Sequence, residues 1–318
     1  MDAITHPVGL ADIEEAAERI KNRVRRTPCL RTRFIREPLR KGPTMLKLEC
    51  LQVTGAFKVR GANNAILQLS DEARTRGVVT ASGGNHGIAV AYAAHASGCA
   101  ATIYLPKNSP ADKAERYRGW GAEVVIEGVG WDEAQDAALA RAERDGLSYI
   151  HPFADPAVIA GQGTIGREML KQSPEIDVIV AGIGGGGLIA GIALAAKAMK
   201  PEIRVIGVEP VGAPTLKNSI VTGAVVALDT VESAANTLAP RRSAQINLDI
   251  IRDLVDDIVL VSDDEMRRAC QWLWFEMGQA VELAGGAAVA AIQTGRISAS
   301  DDQTVAAVVC GNGTAGVV

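Results

Sequence analysis

Lys58 stands where a turn is followed by a predicted helix, which is an unusual place for a lysine. The stretch 53–62 reads Val-Thr-Gly-Ala-Phe-Lys-Val-Arg-Gly-Ala, and Gly55 marks the turn. Apolar residues then recur at helical spacing, at Val59, Ala62, Ala65, Ile66 and Leu69. The start of a helix carries a partial positive charge, so cations normally gather at its other end. An amine held there and partly desolvated loses basicity and can attack a carbonyl near neutral pH.

A surface lysine that packs its aliphatic stem on apolar neighbours explains the same ten residues. On this stretch alone that interpretation is the better one. Later stretches of the chain reverse the preference, because they predict two further sites that attract an anion.

Four consecutive glycines, 184–187, lie between a predicted buried strand (176–180) and a predicted helix (188–199). A backbone without side chains can approach a phosphate closely, and the free N–H groups at the start of the helix attract an anion. No Lys-Ser or Lys-Thr follows the loop, so it is not a Walker A sequence. The loop therefore predicts a phosphate site of another kind.

The same glycines also satisfy a dinucleotide fingerprint, Gly182-x-Gly184-x-x-Gly187, and Glu209 ends the next predicted strand at a suitable distance. On this segment alone, NAD and another phosphate ligand explain the residues equally well. An NAD-dependent oxidoreductase is therefore one of the hypotheses.

A second loop, Ser82-Gly83-Gly84-Asn85-His86-Gly87, joins a predicted strand to a predicted helix. Its backbone N–H groups and Ser82 are suited to hold a substrate carboxylate. Ser82 or Asn85 acting as a simple helix cap is the alternative. His86 taken alone is more often structural than catalytic.

Composition excludes several classes of protein. The chain has 318 residues, 47% hydrophobic and 22% charged, with a net charge of -4 and no basic stretch interleaved with aromatic residues. Nucleic acid is therefore not an expected partner. The uncharged segment 178–196 contains too many glycines for a transmembrane helix, and the acidic N-terminal region does not resemble a signal peptide. We expect neither a membrane span nor secretion.

Five cysteines are scattered along the chain without any Cys-x-x-Cys spacing. This pattern fits the reducing cytoplasm better than a disulfide framework or a zinc site. No His-x-x-x-His pair is present, so a zinc hydrolase is not expected either.

Short β-rich runs alternate with helical patterns, which predicts an α/β fold with mainly parallel sheets flanked by helices. The segment 77–150 forms a small substrate lobe in this prediction, and 1–76 joins 151–318 in a large cofactor-binding lobe. An amphipathic helix from Leu10 to Val24 is predicted near the start, and the cluster Arg23, Arg25 and Arg26 is interpreted as its C-terminal end.

Taken together, these stretches resemble the fold type II pyridoxal-phosphate enzymes, in particular the threonine/serine dehydratase and serine racemase family. The markers are Thr54–Ala62, Ser82–Gly87, His151–Phe153, Gly161–Thr164, Gly184–Leu188 and Gly207–Pro210. The resemblance covers nearly the whole chain and implies a two-lobed fold like that of the tryptophan synthase β subunit. It favours pyridoxal 5'-phosphate over NAD, because a nicotinamide enzyme leaves Lys58 and the Asn85-His86 loop unexplained.

The resemblance assigns roles to individual positions. Lys58 would bind the cofactor covalently and act as the catalytic base, and Phe57 would pack against the pyridine ring. Asn85 would bond the ring hydroxyl, and Cys310, at the end of the last predicted strand (304–309), would lie beside the pyridine nitrogen. The phosphate would be held by Gly184, Gly185, Gly186 and Gly187. The substrate carboxylate would be held by Ser82, Gly84, Asn85 and His86.

The resemblance implies an ammonia-lyase that converts L-threonine, L-serine or a related β-hydroxy amino acid into a 2-oxo acid and ammonia. Family racemases carry a serine at the position of Gly83, and glycine has no proton to give, so a dehydratase is preferred over an amino-acid racemase. A dehydratase for 3-hydroxyaspartate or an ectoine-pathway amino acid, and a non-catalytic binding protein, are the other hypotheses. We also expect a homodimer.

The family's divalent-cation site would fall at Glu209, Ala213 and Thr215. Threonine replaces the family's aspartate at the last position, which removes a good ligand for a hard cation. No bound metal is therefore expected.

Overall fold

A computed structural model describes residues 6–107, 109 and 111–317 and contains two β-sheets surrounded by helices. Its strands are β1 (Cys29–Arg31), β2 (Thr44–Lys47), β3 (Val78–Ala81), β4 (Ala101–Leu105), β5 (Glu123–Ile126), β6 (Ser148–Tyr149), β7 (Ile176–Gly182), β8 (Arg204–Pro210), β9 (Asp257–Val261) and β10 (Thr304–Val308). Its α-helices are α1 (Leu10–Ile20), α2 (Lys58–Leu67), α3 (Asp71–Arg76), α4 (Asn85–Ala96), α5 (Ala111–Arg118), α6 (Trp131–Asp145), α7 (Pro156–Gln172), α8 (Gly187–Met199), α9 (Thr215–Thr222), α10 (Gln245–Leu254), α11 (Asp263–Met277) and α12 (Leu283–Gln293).

The larger sheet has six strands in the order β1-β2-β10-β7-β8-β9. Only the β1–β2 pair is antiparallel, and β2, β10, β7, β8 and β9 run parallel to one another. The central strands β7 and β10 are buried almost throughout, as is normal for parallel strands covered on both faces. The carboxyl ends of these strands therefore meet at one edge, where loops can gather a site.

The smaller sheet has four parallel strands in the order β5-β4-β3-β6, all drawn from residues 78–149. The α/β class with mainly parallel sheets flanked by helices is thus confirmed. The lobe boundaries at residues 76/77 and 150/151 stay a prediction. Apolar residues of α2, among them Val59 and Ile66, pack into the same core as β3 and β4, so α2 covers the smaller sheet although it precedes it in the chain.

Two predicted element boundaries are wrong. α1 ends at Ile20, so the cluster Arg23, Arg25 and Arg26 lies beyond the helix and does not complement its dipole. Arg23 instead donates to the carbonyl of Ala96, and Arg25 donates to the carbonyl of Leu51 at 2.7 Å. These arginines therefore tie neighbouring segments together.

The sequence also predicts a strand over the run 45–49, which precedes the turn at Gly55, but β2 stops at Lys47. Glu49 begins a short 3-10 helix, Glu49–Leu51. The uncharged segment 178–196 folds as the end of β7, a loop and α8, as the sequence predicts. Within the ranges that the structure describes, none of the helices combines the length and apolarity that a membrane crossing needs.

Candidate active site

Lys58 is the first residue of α2, where the sequence predicts it. The chain reaches this point through a tight turn in which Thr54 has φ 65° and Gly55 has φ 84°. A Cβ at Gly55 would lie 2.3 Å from Oδ1 of Asn312, so glycine is needed here for space as well as for its backbone conformation. The turn therefore holds Lys58 in one place.

The end of the chain binds this turn through backbone hydrogen bonds. The N–H of Phe57 donates to the carbonyl of Cys310 at 3.1 Å, and the N–H of Asn312 donates to the carbonyl of Gly55 at 2.7 Å. Ala56 and Gly311 form an antiparallel bridge between them. Cys310 is thus brought beside the Phe57-Lys58 pair, although the two segments are far apart in sequence.

The amine of Lys58 is oriented by a single carbonyl. Its Nζ donates to the carbonyl of Pro152 at 2.6 Å, and it lies 5.2 Å from the centre of the Phe57 ring. Burial lowers the pKa of Lys58 to about 8, against an opposing effect of the Glu282 charge. A sizeable neutral fraction is therefore available near neutral pH, which an ordinary lysine does not provide.

The glycine loop that follows β7 has no room for side chains. A Cβ at Gly185 would lie 2.3 Å from the Phe153 ring, and one at Gly187 would lie 2.6 Å from the Phe153 carbonyl. A Cβ at Gly184 would meet the Thr237 carbonyl at 2.8 Å, and Gly186 has φ 96°. Each glycine is therefore required by its surroundings.

The backbone of this loop is oriented for an anion. The carbonyl of Gly185 accepts from Oγ of Ser243 at 2.9 Å and from Nδ2 of Asn247 at 2.6 Å. Within the described part of the chain, the N–H groups of Gly184, Gly185 and Gly186 have no protein acceptor. These donors at the start of α8 form a site for a negatively charged group.

The second loop lies between β3 and α4, with Ser82 largely buried. Gly84 is the N-cap of α4 and has no side chain to cap it, and Ser82 Oγ accepts from the Gly84 N–H at 3.1 Å. Asn85 Nδ2 donates to Oε1 of Glu282 at 2.7 Å. The alternative that Asn85 caps α4 is therefore wrong. Asn85 is the first residue of the helix, and its side chain donates to Glu282 and not to the backbone of α4.

His86 is buried, with its Nε2 3.0 Å from the carbonyl of Ile150. Burial, followed by the charge of Lys58, lowers the pKa of His86 to about 3, so the ring is neutral and Nε2 donates to that carbonyl. The imidazole Nε2 is therefore occupied by the carbonyl of Ile150, the residue that follows β6. His86 can offer a ligand its backbone N–H at the start of α4.

Cys310 follows β10 and is buried, with its thiol donating to the carbonyl of Ala284 at 3.3 Å. Burial raises the pKa of Cys310 well above its usual range, so the sulfur keeps its proton. A protonated thiol is a weak hydrogen-bonding group. It can sit next to a ring nitrogen without transferring a proton to it.

Glu282 matches a glutamate of the family that the sequence resembles, and its side chain contacts the Asn85 loop. Its Oε1 accepts from Asn85 Nδ2 and, at 3.3 Å, from Oγ1 of Thr237, and burial raises its pKa. In the sequence it is an acid just before an apolar helix, which is a normal helix start. An acid at this position also fits an ordinary helix N-terminus, so the neighbouring sequence does not show that Glu282 contacts Asn85 and Thr237.

The sequence predicts Glu209 at the end of a strand. The structure places it in β8, one residue before that strand ends. Its oxygens accept the N–H groups of Leu216 at 2.8 Å and Lys217 at 2.9 Å, and burial raises its pKa to about 7. Thr215 Oγ1 donates to the carbonyl of Pro240 at 2.8 Å. This carboxylate therefore accepts hydrogen bonds from the start of α9, whereas the dinucleotide hypothesis requires it to bind a ribose.

The donors and spaces fit pyridoxal 5'-phosphate. The cofactor needs an amine for its aldehyde, an anion site for its phosphate and an apolar surface for its ring. Lys58 offers the amine, the Gly184–Gly187 loop offers unpaired N–H groups, and Phe57 offers the ring surface. A nicotinamide dinucleotide has no aldehyde group, so its binding would not explain why the pKa of Lys58 is lowered.

This combination of a parallel α/β fold, a lysine at a helix start and a glycine phosphate loop defines the fold type II pyridoxal-phosphate enzymes. A family model described as pyridoxal-phosphate dependent enzyme matches residues 20–311. The L-threonine ammonia-lyase of Thermotoga maritima is 41% identical over 285 residues, which are 90% of this chain and 71% of that protein. The chain belongs to the pyridoxal-phosphate-dependent enzyme family.

Other relatives agree with this membership. The catabolic L-threonine dehydratase of Staphylococcus aureus is 37% identical over 292 residues, which are 92% of this chain and 84% of that protein. The solved structure of maize serine racemase matches with a TM-score of 0.92 and 35% identity, covering 96% of this chain and 94% of that one. The chain thus resembles both lyases and a racemase, and pyridoxal phosphate is its cofactor.

Proposed function

We propose that the protein is an ammonia-lyase that removes water from L-threonine, L-serine or a related β-hydroxy amino acid and releases a 2-oxo acid and ammonia. The observation that carries this proposal is the amine of Lys58, which donates to the Pro152 carbonyl next to Phe153, the residue that packs on the glycine loop. Burial lowers the pKa of this amine to about 8. The similarity to an L-threonine ammonia-lyase and to a catabolic L-threonine dehydratase supports the same reaction.

In this proposal Lys58 would bind the cofactor, Phe57 would pack against its ring, and Asn85 would bond its hydroxyl. Gly184, Gly185, Gly186 and Gly187 would hold the phosphate, and Cys310 would lie at the ring nitrogen. When bound, pyridoxal phosphate withdraws electrons from the substrate Cα and makes the proton there removable. The N–H groups of the Ser82–His86 loop hold the substrate carboxylate and so orient the Cα–H bond.

Lys58 is the group that moves this proton. Its neutral amine would accept the proton from the substrate Cα, and the ammonium so formed can supply the proton with which the β-hydroxyl leaves as water. Water then hydrolyses the remaining enamine to the 2-oxo acid and ammonia. Cys310 limits how far negative charge is stabilised, because a thiol of raised pKa does not protonate the neighbouring nitrogen. Limited stabilisation of this charge would favour prompt loss of the β-hydroxyl over return of the proton to the substrate Cα.

A panel of β-hydroxy amino acids tests the proposal. Purified holoenzyme is incubated with L-threonine, L-serine, L-threo-3-hydroxyaspartate and 4-hydroxylated cyclic amino acids, and the 2-oxo acid and ammonia are measured. We expect equimolar release of both products from at least one of them. Release from none, with cofactor bound, would leave the non-catalytic binding protein as the better hypothesis.

An amino-acid racemase of the same fold is the second candidate, and the maize serine racemase structure favours it. Racemisation needs an acid on the face of the substrate opposite Lys58, and Gly83 has none to offer. We therefore expect 2-oxo acid formation to exceed D-amino acid formation. Chiral chromatography of the products from L-serine measures both.

Serine in place of Gly83 is expected to raise the rate of D-serine formation by about a hundredfold, because it supplies the missing proton donor. A Cβ at this position lies 2.8 Å from Oγ of Ser109, the free end of a side chain that can rotate away. Gly130→Ser is the control, since a Cβ there meets nothing within 4 Å. No D-serine from Gly83→Ser would contradict this account of position 83.

We also propose that the protein acts as a homodimer in the cytoplasm. Phe34, Trp274 and Phe275 are largely exposed, and Arg36, Trp274 and Phe275 line one groove of about 570 Å³. Large exposed aromatic groups of this kind are typical of protein interfaces. Light scattering is expected to give twice the chain mass of 33.3 kDa, and Trp274→Glu is expected to shift the protein towards monomer.

A further inference from the structure

Two side chains of α5 bind the carbonyl groups of the glycine pair in the Ser82–His86 loop. Lys113 Nζ donates to the carbonyl of Gly83 at 2.5 Å, and Tyr117 OH donates to the carbonyl of Gly84 at 2.8 Å. Lys113 and Tyr117 are four residues apart, so they lie on the same face of α5. Consecutive carbonyls of the loop thus point towards one helix.

The direction of a carbonyl decides the direction of the next N–H. In a trans peptide the C=O and the N–H of the same plane point in opposite directions. Because the carbonyls of Gly83 and Gly84 face α5, the N–H groups of Gly84 and Asn85 face away from it. Ser82 Oγ accepts from the Gly84 N–H at 3.1 Å, which agrees with this direction.

Lys113 and Tyr117, which we call the anchors of the loop, are needed because the loop is rich in glycine. Gly83 and Gly84 have no Cβ, so rotation of their peptide planes meets less steric resistance than in other residues. A rotated plane would present a carbonyl oxygen where an anion is to bind. A second contact fixes the arrangement, since the Tyr117 ring lies on Gly87, where a Cβ would come within 2.9 Å of its Cζ.

Tyr117 is suited to be a permanent donor. Its side chain is 2% exposed, and burial raises the pKa of its hydroxyl, so the proton stays on the oxygen. Lys113 is half-buried and brings a positive charge to the same side of the loop. Both anchors contact the loop from the side of α5, through the carbonyl groups of Gly83 and Gly84.

We propose that Lys113 and Tyr117 are positioning residues for the carboxylate of the amino-acid substrate. Tyr117 orients the N–H of Asn85 towards it, and Lys113 orients the N–H of Gly84 onto Ser82 Oγ, which holds the Ser82 hydroxyl in place for the same carboxylate. The identity of this ligand rests on the proposed function. The anchors bind the loop from behind and do not touch the substrate. Their effect is therefore on the affinity for a carboxylate and not on the proton transfer at Lys58.

The test compares two ligands that differ only in the carboxylate. L-serine carries it, and 2-aminoethanol has the same amine and hydroxyl without it. Dissociation constants of both are measured from the absorbance change of the holoenzyme, together with KM and kcat for L-serine. This binding measurement does not depend on turnover, so it separates failure of the anchor proposal from failure of the lyase proposal.

Tyr117→Phe removes one anchor without changing the charge. It is expected to weaken L-serine binding and raise KM about tenfold or more, with kcat changed less than about twofold and 2-aminoethanol binding unchanged. Lys113→Met is expected to act in the same direction, and Lys113→Arg to restore most of the affinity. These two variants keep the proposal testable if Tyr117→Phe folds poorly.

Two matched controls remove similar bonds elsewhere. Tyr92→Phe deletes a hydroxyl that donates to the Arg23 carbonyl at 2.8 Å, and Lys200→Met deletes an amine that donates to the Ile176 carbonyl at 2.8 Å. Both are expected to bind L-serine as the unchanged enzyme does. The proposal is overturned if Tyr117→Phe and Lys113→Met leave L-serine affinity unchanged, or weaken L-serine and 2-aminoethanol equally.

Discussion

Lys58→Ala is expected to lower turnover of the best β-hydroxy amino acid by about 10³-fold or more. The variant removes the only amine at the start of α2 and with it both the attachment of the cofactor and the base at the substrate Cα. The Pro152 carbonyl, which accepts from Lys58 at 2.6 Å, would be left to bind water or added amine. Steady-state release of 2-oxo acid measures the loss.

A mapping experiment accompanies this prediction. Borohydride treatment of the holoenzyme, followed by peptide analysis, is expected to place the reduced cofactor on Lys58 and on no other lysine. Lys200→Ala is the control, because this lysine follows α8 and donates to the carbonyl of Ile176 at the start of β7. Retained turnover in Lys58→Ala, or a label on another lysine, would refute the assignment of the site.

Arg60→Met is expected to lower the free energy of unfolding by about 3–5 kcal/mol. The guanidinium of Arg60 is fully buried and donates to both oxygens of Glu49 at 2.8 Å and to both oxygens of Glu168 at 2.8 and 2.9 Å. Removal of Arg60 leaves Glu49, also fully buried, without its main partner. Denaturant unfolding of the two proteins measures the difference.

The charges around Arg60 also determine how the effect depends on pH. Burial tends to raise the pKa of Glu49, but Arg60 outweighs it and holds that pKa below the usual value of 4.5. The stabilisation is therefore present above pH 4.5 and is lost as the pH falls through the lowered pKa. The difference between wild type and Arg60→Met is expected to shrink in acid.

A surface pair provides the control for this prediction. Lys21 donates to Glu18 at 2.8 Å, but both side chains are mostly exposed, so Lys21→Met is expected to leave unfolding unchanged. A loss of less than about 1 kcal/mol in Arg60→Met would show that the buried cluster contributes little to stability. Because Arg60 is two residues from Lys58, its loss is also expected to loosen the start of α2.

The turn-and-helix pattern of residues 53–62 illustrates what can be read locally. Gly55 and the spacing of Val59, Ala62 and Ile66 predict the start of α2, and the structure begins this helix at Lys58. Local steric rules and helical periodicity act over a few residues, so a single sequence records them. The two glycine loops are predicted for the same reason.

Glu282 illustrates what cannot be read in this way. Its contact with Asn85 joins the start of α4 to the start of α12 and depends on how two separate elements pack. The cluster of Arg60, Glu49 and Glu168 likewise joins α2, a short 3-10 helix and α7. No local pattern marks these partners, because a glutamate is usually a solvent-exposed residue and the neighbouring sequence does not show that these three are buried or half-buried.

The wrong boundary of α1 has the same origin. Val24 and the three arginines continue an amphipathic pattern, yet the helix ends at Ile20 because the following segment is drawn to other partners. The Arg25 N–H donates to Oε1 of Gln52 at 2.8 Å, and the Arg25 carbonyl accepts from Gln52 Nε2 at 2.8 Å. Tertiary hydrogen bonds outweigh a modest helical preference at a helix end.

The amino-acid sequence by itself determined the elements, the glycine loops and the lysine at a helix start, since these follow from the backbone and from apolar spacing over a few residues. Only the tertiary structure decided which groups share the site: Cys310 beside Phe57, Glu282 on Asn85, and Lys113 and Tyr117 behind Gly83 and Gly84. The physical reason is burial. It brings distant polar groups together, lowers the pKa of Lys58 and leaves each buried donor dependent on a partner that local sequence does not specify.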